Sequence, residues 1–307
     1  MAVAKEEKRT ILEKFGDIDR RIIYAMVFLM IVPPLLFPLN LPIGISPETS
    51  AIFKFINNLP KGSIVVLSLD FGSKIGENYP QARTVFAHAL RAGMKVILMG
   101  MWSYGATVSA NFLVEETKAY AQARGIGEIT SAMATYGVNY VNLGIILQGD
   151  NGVMQLAQVG FYPQMFSKDN YGNKLEDLPF NKAGKPITQF KAEDVDLLVC
   201  YAAGTPGIEA YRTYWWATGK CLNLAVGAVG VSVAGYYPLM NAGILIGIIP
   251  STKGAMEYDQ LTGMIGASGL SLSTMDAQSL EHVYVIVLLV IGNIGTFAIS
   301  RSRRRGT

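Results

Sequence analysis

The central part of the chain alternates short apolar runs with segments whose apolar positions recur at helical spacing. The first run is SIVVLSLD (63–70), and NYPQARTVFAHALRAG (78–93) follows it. In the second segment Pro80 suits a first helical turn and Gly93 suits a C-terminal stop. Its apolar residues lie three and four positions apart, at Ala82, Val85, Phe86, Ala89 and Leu90. The two segments therefore predict a buried strand and then a helix with one apolar face.

The same alternation continues along the chain as far as residue 266. Further strands are predicted at 94–102, 138–147, 196–203, 222–231 and 243–249, and further helices at 109–125, 237–241 and 253–266. Alternating strands and helices are typical of α/β domains with right-handed crossovers. We therefore predict an α/β fold with a doubly wound, mostly parallel, Rossmann-like sheet.

Two stretches of this region have an unusual composition. Residues 149–193 are rich in Gly, Asn, Asp, Lys and Pro, which predicts a long insertion with one short strand at VMQLAQV (153–159). Residues 221–250 contain no charged side chain, so a membrane span is the alternative to the two strands predicted there. Gly235 and Pro238 interrupt that stretch, and a third span would put the basic C-terminus and the basic N-terminus on opposite sides of the membrane. The strand interpretation is therefore preferred.

Both ends of the chain carry an uncharged apolar segment, at 22–39 and at 283–300. Each approaches the roughly 20 residues that cross a bilayer core. The mean hydropathy of +0.30 is also high for a soluble protein of this length. We therefore predict N- and C-terminal transmembrane helices that flank the α/β domain. The alternatives are core helices of a soluble protein or, for the first segment, a signal peptide, which its late start and missing cleavage site disfavour.

The distribution of basic residues predicts the orientation in the membrane. They cluster before residue 22 and after residue 300, so the positive-inside rule places both termini in the cytoplasm. The predicted organisation is a cytoplasmic segment (1–21), a transmembrane helix (22–39), an extracytoplasmic domain (40–282), a second transmembrane helix (283–300) and a basic cytoplasmic tail (301–307). The region between the spans is slightly acidic, so no nucleic-acid partner is predicted.

Common sequence motifs of catalysis and cofactor binding are absent. The chain lacks G-x-G-x-x-G after a strand, the P-loop motif G-x-x-x-x-G-K-[ST] and the nucleophile elbow G-x-S-x-G. Two histidines and two cysteines without ligand spacing predict neither a metal site nor a cofactor. Cys200 and Cys221 are predicted to be buried thiols, with a disulfide between them as the alternative.

Candidate site residues follow from the predicted sheet, because ligands of doubly wound sheets bind beyond the carboxyl ends of the strands. The ends of three strands supply Asp70, Gly72 and Ser73, then Trp102 and Tyr104, and finally Gly204, Thr205 and Gly207. Asp70 is a weak candidate for a catalytic acid or base, and its alternative role is to accept hydrogen bonds from loop amides. Trp102 and Tyr104 either form an aromatic wall for a ligand or pack against the insertion.

The segment GTPG (204–207) has the composition of a strand-to-helix turn. A helix that begins near Pro206, with Thr205 as its cap, would present free amides to a phosphate or carboxylate. The same residues suit any such turn, and Glu209 would repel an anion there. A turn without a ligand is therefore the preferred interpretation.

Five stretches together resemble an uncharacterised family of prokaryotic membrane proteins. They are SIVVLSLDFGS, YPQARTVFAHALRAGMKVILMGMW, YVNLGI, DVDLLVCYAAGTPG and LIGIIPSTKGAMEY, which cover most of residues 63–262. The resemblance implies one α/β domain between two terminal transmembrane helices. It implies no activity, ligand or catalytic residue.

The first functional hypothesis is a membrane-anchored binding or scaffold module that assembles into a homo-oligomer or into a larger complex with other membrane proteins. It is favoured by the missing catalytic motifs, by the uncharged stretch 221–250, and by Gly292 and Gly295, which permit close helix packing in the lipid bilayer. The alternative is a membrane-tethered enzyme for a small anionic or peptide substrate, with Asp70 as its acid or base. A third hypothesis, a transport element, requires residues 221–250 to lie in the bilayer.

Overall fold

A computed structural model describes residues 18–37, 39, 43–74, 76–130, 134–269 and 271–305. The chain divides into two compact units. One is the central domain, Pro42–Ser271, and the other combines the terminal segments Met1–Leu41 and Leu272–Thr307. All of the β-strands that the structure describes belong to the central domain.

The strands of the central domain are β1 (Ile64–Asp70), β2 (Lys95–Gly100), β3 (Tyr140–Ile145), β4 (Asn181–Lys182), β5 (Lys185–Pro186), β6 (Leu197–Ala202), β7 (Leu224–Ala228) and β8 (Leu245–Pro250). Six of them form one sheet in the order β3-β2-β1-β6-β7-β8, and all neighbours in it are parallel. The short strands β4 and β5 form a separate antiparallel pair. With that pair set aside, the order matches that of doubly wound dinucleotide-binding domains. The prediction of an α/β fold with a parallel sheet is confirmed.

The α-helices are α1 (Arg20–Leu36), α2 (Pro47–Asn58), α3 (Asn78–Arg91), α4 (Ala110–Arg124), α5 (Gly127–Thr130), α6 (Asp150–Val159), α7 (Ile208–Tyr211), α8 (Val233–Asn241), α9 (Ser251–Thr262) and α10 (Ser271–Arg305). π-Helical turns precede α4 at Tyr104–Ser109 and follow α7 at Arg212–Trp216. Helices α2, α3, α4 and α9 pack on one face of the sheet, and α6 and α7 pack on the other. Coverage of both faces explains why the strand sequences are nearly continuous apolar runs.

The side chains of β1 alternate between the two faces. Val65, Leu67 and Leu69 join the core beneath α3, whereas Ile64 and Val66 join the core beneath α6 and α7. Ser68 and Asp70 continue the second series, so the alternation of the strand directs both toward the α6 and α7 face. The two polar residues of this strand are therefore placed inside the domain by its register.

The insertion between β3 and β6 covers the same face as α6. Its large apolar side chains are buried, at Phe161, Phe166, Leu175, Phe180, Ile187 and Phe190. The short strand predicted at 153–159 is wrong, because these residues belong to the helix α6. Val153, Leu156 and Ala157 are buried at a spacing of three and four, so packing of a helical face determines this segment.

The uncharged stretch 221–250 forms two strands of the sheet, as predicted, with a helix between them. None of the residues of α8 is buried, although the helix has no charged side chain. Val231, just before α8, is 94% exposed. Val233, Tyr236, Leu239 and Met240 are half-buried against the core of the domain. We name the exposed, uncharged side of residues 231–243 the α8 surface.

The terminal unit contains one helix that is long and apolar enough to cross a membrane, among the residues that the structure describes. It is the segment Ser273–Arg301 of α10, which has 29 residues, a mean hydropathy of 2.2 and 6% burial in its most apolar window. The N-terminal helix α1 has 17 residues, with Pro33 and Pro34 inside it. The predicted N-terminal transmembrane helix is therefore not supported.

Two hydrogen bonds join the terminal segments within their own unit. The amide of Leu39 donates to Oδ2 of Asp276 over 2.7 Å, and the hydroxyl of Tyr284 donates to the carbonyl of Ile23 over 3.3 Å. Asp276 is 1% exposed. The described parts of the two terminal segments therefore contact each other.

Candidate functional site

The sheet has its switch point between β1 and β6, where the chain passes from one half of the sheet to the other. The strands run outward from β1 to β3 on one side and from β6 to β8 on the other. At such a point the loops diverge and leave a crevice beyond the carboxyl ends of the strands. Asp70 ends β1 and lies in register with Ala202, which ends β6. Candidate residues from these two strand ends are therefore brought to the same edge.

Asp70 is fully buried, and its carboxylate accepts hydrogen bonds from inside the domain. The amide of Met101 donates to Oδ1 over 2.6 Å. Ser68 Oγ and Cys200 Sγ donate to Oδ2 over 2.6 and 3.2 Å. Because the single Ser68 proton goes to Asp70, the hydroxyl of Tyr211 donates to Ser68 Oγ, 2.8 Å away. The result is a hydrogen-bonded chain that links three elements around one carboxylate.

Burial controls the acidity of this cluster. It raises the pKa of Asp70 to about 6, although the hydrogen bonds from Ser68, Met101 and Cys200 oppose the shift. Burial also raises the pKa of Cys200 and that of Tyr211 well above their ordinary values, and the negative charge of Asp70 adds to both shifts. At neutral pH the thiol and the phenol therefore stay protonated and serve as hydrogen-bond donors.

The placement of Asp70 bears on the chemistry available at this edge. A general acid or base must come within hydrogen-bond distance of a substrate proton. Asp70 has no exposed surface, and its oxygens already accept bonds from Met101, Ser68 and Cys200. In this geometry the carboxylate fills its alternative role, which is to anchor the loop after β2.

Trp102 joins the loops that follow β2 and β6. Its Nε1 donates to the carbonyl of Pro206 over 3.2 Å. A Cβ atom built on Gly72 would lie 3.7 Å from the Trp102 ring, and one on Gly204 would lie 3.9 Å from it. Trp102 therefore packs between the candidate loops, and the two glycines let it approach both.

The remaining candidates of the β1 and β2 loops are Ser73 and Tyr104. Ser73 is exposed, and Tyr104 is half-buried at the start of the π-helical turn before α4. The next residue, Gly105, approaches β1 so closely that a Cβ there would lie 2.0 Å from the carbonyl oxygen of Leu69. This turn is therefore positioned by backbone contact, a feature that the sequence analysis missed.

The turn at 204–207 differs from its predicted form. The Thr205–Pro206 peptide bond is cis, and α7 begins at Ile208. Gly207 takes the N-cap position, and no side chain caps the helix. The predicted Thr205 cap is therefore wrong, and the helix begins two residues after Pro206.

A cavity of about 430 Å³ lies beside this turn, between it and α8. Its wall includes Gly204 and Thr205 of the turn, Glu209 and Arg212 beyond it, and Tyr236 of α8. The cavity follows the ends of β6 and β7, where doubly wound sheets bind ligands. Its volume falls within the roughly 300–1,000 Å³ of small-molecule pockets. Two of the predicted ligand-binding residues thus line a cavity of suitable size.

The cavity wall carries both signs of charge. Oε2 of Glu209 is buried and has no hydrogen-bond partner. Burial raises the pKa of Tyr236 to about 12, and the negative charge of Glu209 contributes to that shift. Arg212, three residues after Glu209, supplies the positive charge. The polar groups of the cavity therefore interact electrostatically across its wall.

Arg212 was not among the predicted site residues, and Glu209 was considered only as a residue that would repel an anion. One signal was present, because Glu209 and Arg212 are the only charged residues from Leu197 to Gly219. Two opposite charges three positions apart in an otherwise uncharged segment indicate a local requirement for both. Their contact with α8 depends on the tertiary structure and left no such signal.

The described residues include no group of three or more His, Cys, Asp or Glu side chains that could hold a metal ion. Cys200 and Cys221 are free and buried, so the alternative of a disulfide between them is not realised. Burial raises the pKa of Cys221 to about 11. Neither thiol has the exposure and low pKa of a reactive cysteine.

Comparisons of the chain with protein-family models, with curated proteins and with solved structures find no match. The membrane-protein family that the sequence resembles therefore stays a prediction. What the site can do follows from the contacts and charges of its own residues.

Proposed function

We propose that the chain is a membrane-anchored α/β binding module that assembles with further copies of itself. The proposal is carried by the apolar helix Ser273–Arg301, which follows the α/β domain directly in the chain. At about 1.5 Å per residue, this helix extends about 43 Å, more than the roughly 30 Å of a bilayer core. Its low burial leaves the apolar side chains available to lipid.

In the proposed topology both termini are cytoplasmic and the α/β domain lies on the other side of the membrane. The basic tail at 301–307 and the basic N-terminal segment favour this orientation. The topology also requires the N-terminal segment to cross the bilayer. Helix α1 extends only about 26 Å by itself, so residues beyond Leu36 would have to complete that crossing.

Binding is favoured over catalysis because Asp70, the candidate for a catalytic acid or base, is buried. Asp70 is sealed inside the domain, whereas the cavity beside it is lined by groups that recognise charge. Glu209 and Arg212 suit ligand binding through ion pairs, and the described lining residues include neither a histidine nor a cysteine. A binding role therefore uses the available groups better than an enzymatic one.

The α8 surface is the proposed contact between copies of the chain. It carries no charge, so two such surfaces meet without like-charge repulsion, and a strongly charged partner would find no complementary group on them. Gly292 of α10 has open space around it, because a Cβ there would meet nothing within 4 Å. A neighbouring helix in the bilayer can therefore approach closely at that position.

Membrane anchoring is tested by placing charges in the apolar helix. Replacing Ile286 and Leu289 with Arg costs roughly 2.5–3.5 kcal/mol per residue at a bilayer centre. Because the proposed N-terminal span would by itself hold the full chain in the membrane, the comparison uses a chain that begins at Ile43. In that chain the double variant is expected in the alkaline-extractable fraction and the unsubstituted sequence in the membrane pellet. Tyr171→Arg, at an exposed position of the domain, is the control and should stay with the membrane. Retention of the Ile286→Arg, Leu289→Arg variant in the pellet would contradict anchoring by α10.

The topology is tested separately with single introduced thiols. Lys5→Cys and Arg305→Cys are expected to react with a membrane-impermeant maleimide only when the reagent has access to the cytoplasmic side of the membrane. Ser103→Cys, exposed on the domain, is expected to react from the opposite side. If Lys5→Cys labels together with Ser103→Cys, the chain has one span instead of two.

Assembly is tested by charging the α8 surface. Val231→Lys together with Ala234→Lys places two like charges at exposed positions of the α8 surface. Native mass spectrometry is therefore expected to show an oligomer for the wild type and a monomer for the double variant. Leu222→Lys, which is exposed but lies outside the α8 surface, is the matched control. A monomeric wild type, or an oligomer that survives the double substitution, would argue against this contact.

A further inference from the structure

The cavity beside the GTPG turn contains one carboxylate that lacks a partner. Oε2 of Glu209 is buried and accepts no hydrogen bond. An unpaired polar atom removed from water is costly, and the cost is greater for a charged group. Close packing holds the carboxylate there, because a Cβ on Gly207 would lie 3.4 Å from Oε2 of Glu209 and 2.8 Å from the Ala202 side chain. Oε2 therefore lies against the turn without a hydrogen bond, while the Glu209 side chain lines the cavity and supplies its negative charge.

The same wall also carries an unpaired cation. Arg212 is half-buried, and its guanidinium takes part in no ion pair or hydrogen bond with the described residues. Glu209 and Arg212 lie three positions apart along one helical stretch, yet no ion pair joins them. Two opposite charges that neighbour each other without pairing present separate attachment points to a third group.

The remaining wall is largely uncharged. Tyr236 and Leu239 of α8 supply apolar surface, and Ser232 supplies a hydroxyl. Glu209 lines the same cavity as these α8 residues. A ligand bound to both charges would therefore set its hydrocarbon part against α8.

We propose that this cavity binds a small zwitterion, a free α-amino acid, with its ammonium group on Glu209 and its carboxylate on Arg212. A ligand with one charge alone would leave the opposite wall charge unpaired, so electrostatic complementarity selects a molecule that carries both. The guanidinium of Arg212 matches a carboxylate in a bidentate geometry. A cavity of about 430 Å³ accommodates an amino acid together with some bound water. The inference rests on the proposed function, since it names the ligand class of the binding module.

The test begins with the full-length wild-type chain in detergent. Each of the common L-amino acids is supplied at 10 mM, and thermal unfolding is recorded with and without it. At least one amino acid is expected to raise the unfolding temperature, because a ligand of the folded state stabilises it by mass action. If none does, the cavity is no amino-acid site.

The second step removes one charge of the ligand at a time. For leucine the analogues are 3-methylbutylamine, which lacks the carboxylate, and 4-methylpentanoate, which lacks the ammonium group. Calorimetry is expected to show binding about 10- to 100-fold weaker for either analogue, since a hydrogen bond to a charged group contributes about 1.5–3 kcal/mol. Equal affinity for the amino acid and for one analogue would overturn the two-point arrangement.

The third step pairs these analogues with two variants. Glu209→Gln is expected to weaken binding of the amino acid and the amine about tenfold or more and to leave binding of the acid unchanged. Arg212→Gln should weaken binding of the amino acid and the acid and leave binding of the amine unchanged. Glu128→Gln, at an exposed helix position, should change none of the three affinities. Affinities that do not change in either variant would place the ligand elsewhere. The wild type is also taken through the alkaline extraction, so an anchored wild type that binds no amino acid contradicts the ligand and leaves the proposed anchoring untouched.

Discussion

The thiol of Cys200 donates a hydrogen bond to the carboxylate of Asp70 over 3.2 Å, between residues that lie 130 positions apart in the chain. The bond joins β6 to β1 at the switch point of the sheet. Ser68 and the amide of Met101 complete the set of donors. The carboxylate therefore ties together the two halves of the sheet and the loop after β2, and its protonation should affect the stability of the domain.

Asp70→Asn is expected to change how stability depends on pH. Burial raises the pKa of Asp70 from an ordinary value near 3.8 to about 6, so between these values the folded protein holds a proton that the unfolded chain has lost. The stability from this proton is present below about pH 4 and is lost as the pH rises through 6. Relative to Asp70→Asn, the wild type should lose about 3 kcal/mol of unfolding free energy between pH 4 and pH 7.

Urea unfolding of both proteins at several pH values measures this difference. Comparing them cancels the other titrating groups, including Asp259, whose pKa burial also raises to about 6. Parallel stability curves for the wild type and Asp70→Asn would show that Asp70 titrates normally in the folded protein.

His88 is expected to act in the opposite direction. It is 4% exposed, contacts the hydroxyl of Tyr258 at 2.9 Å and stacks on Phe53. Burial lowers the pKa of His88 to about 4, and the charge of Arg91 adds to the shift. Between about pH 6.5 and 4 the unfolded chain therefore binds a proton that the folded domain excludes, so stability falls with acidification.

The measurement is the unfolding free energy of His88→Gln against that of the wild type. The wild type should lose about 3 kcal/mol relative to the variant as the pH falls from 7 to 4. His282→Gln replaces the other histidine, which is exposed, and should follow the wild type. A His282→Gln curve that departs from the wild type as far as that of His88→Gln would undermine the assignment.

Gly105→Ala is expected to destabilise the domain strongly. The new methyl group would lie 2.0 Å from the carbonyl oxygen of Leu69 and 3.0 Å from that of Phe71, and neither backbone atom belongs to a flexible side chain. The turn before α4 would have to move, at a cost of about 3 kcal/mol or more. Gly127→Ala, where a Cβ meets nothing within 4 Å, should be neutral or stabilising by less than about 1 kcal/mol. Thermal unfolding compares the two, and similar values for both would contradict the close approach.

The two native thiols are expected to resist alkylation in the folded protein. Cys200 is fully buried, Cys221 is 2% exposed, and burial raises the pKa of both. A water-soluble maleimide at pH 7 should add no mass in an hour and two equivalents after denaturation, as read by intact-mass spectrometry. Ser103→Cys, at an exposed position, should add one equivalent without denaturation. Rapid labelling of native Cys221 would indicate that the stretch 221–250 opens to water.

The strands were predictable because each is a run of apolar residues between turn residues, and burial on both faces requires that pattern. Helix α6 was not, because Gly149, Gly152 and Gly160 give its segment the composition of a loop. Gly152 lies inside the helix, where a Cβ would stand 2.0 Å from the carbonyl oxygen of Leu147. Gly152 permits close packing of the helix. The amino-acid composition of the segment alone does not distinguish a closely packed helix from a flexible loop.

The candidate site was predictable only in its location. The rule that ligands lie beyond the carboxyl ends of the strands selected Gly204 and Thr205, which do line the cavity. The same rule selected Asp70, but strand alternation and the packing of α7 turn that side chain inward. Burial of one Glu209 oxygen depends on contacts with α8 and the turn, which no local pattern encodes.

The strand order also sets the timing of assembly during synthesis. At roughly 5–20 residues per second, the ribosome adds Cys200 about 6–26 s after Asp70. During this interval the Asp70 carboxylate lacks its hydrogen-bond donor from β6. In that interval β1 is an edge strand whose unpaired backbone groups can join the wrong chain. Pauses in translation between residues 70 and 197 would lengthen this exposure, so the yield of folded protein should depend on codon choice in the middle of the gene.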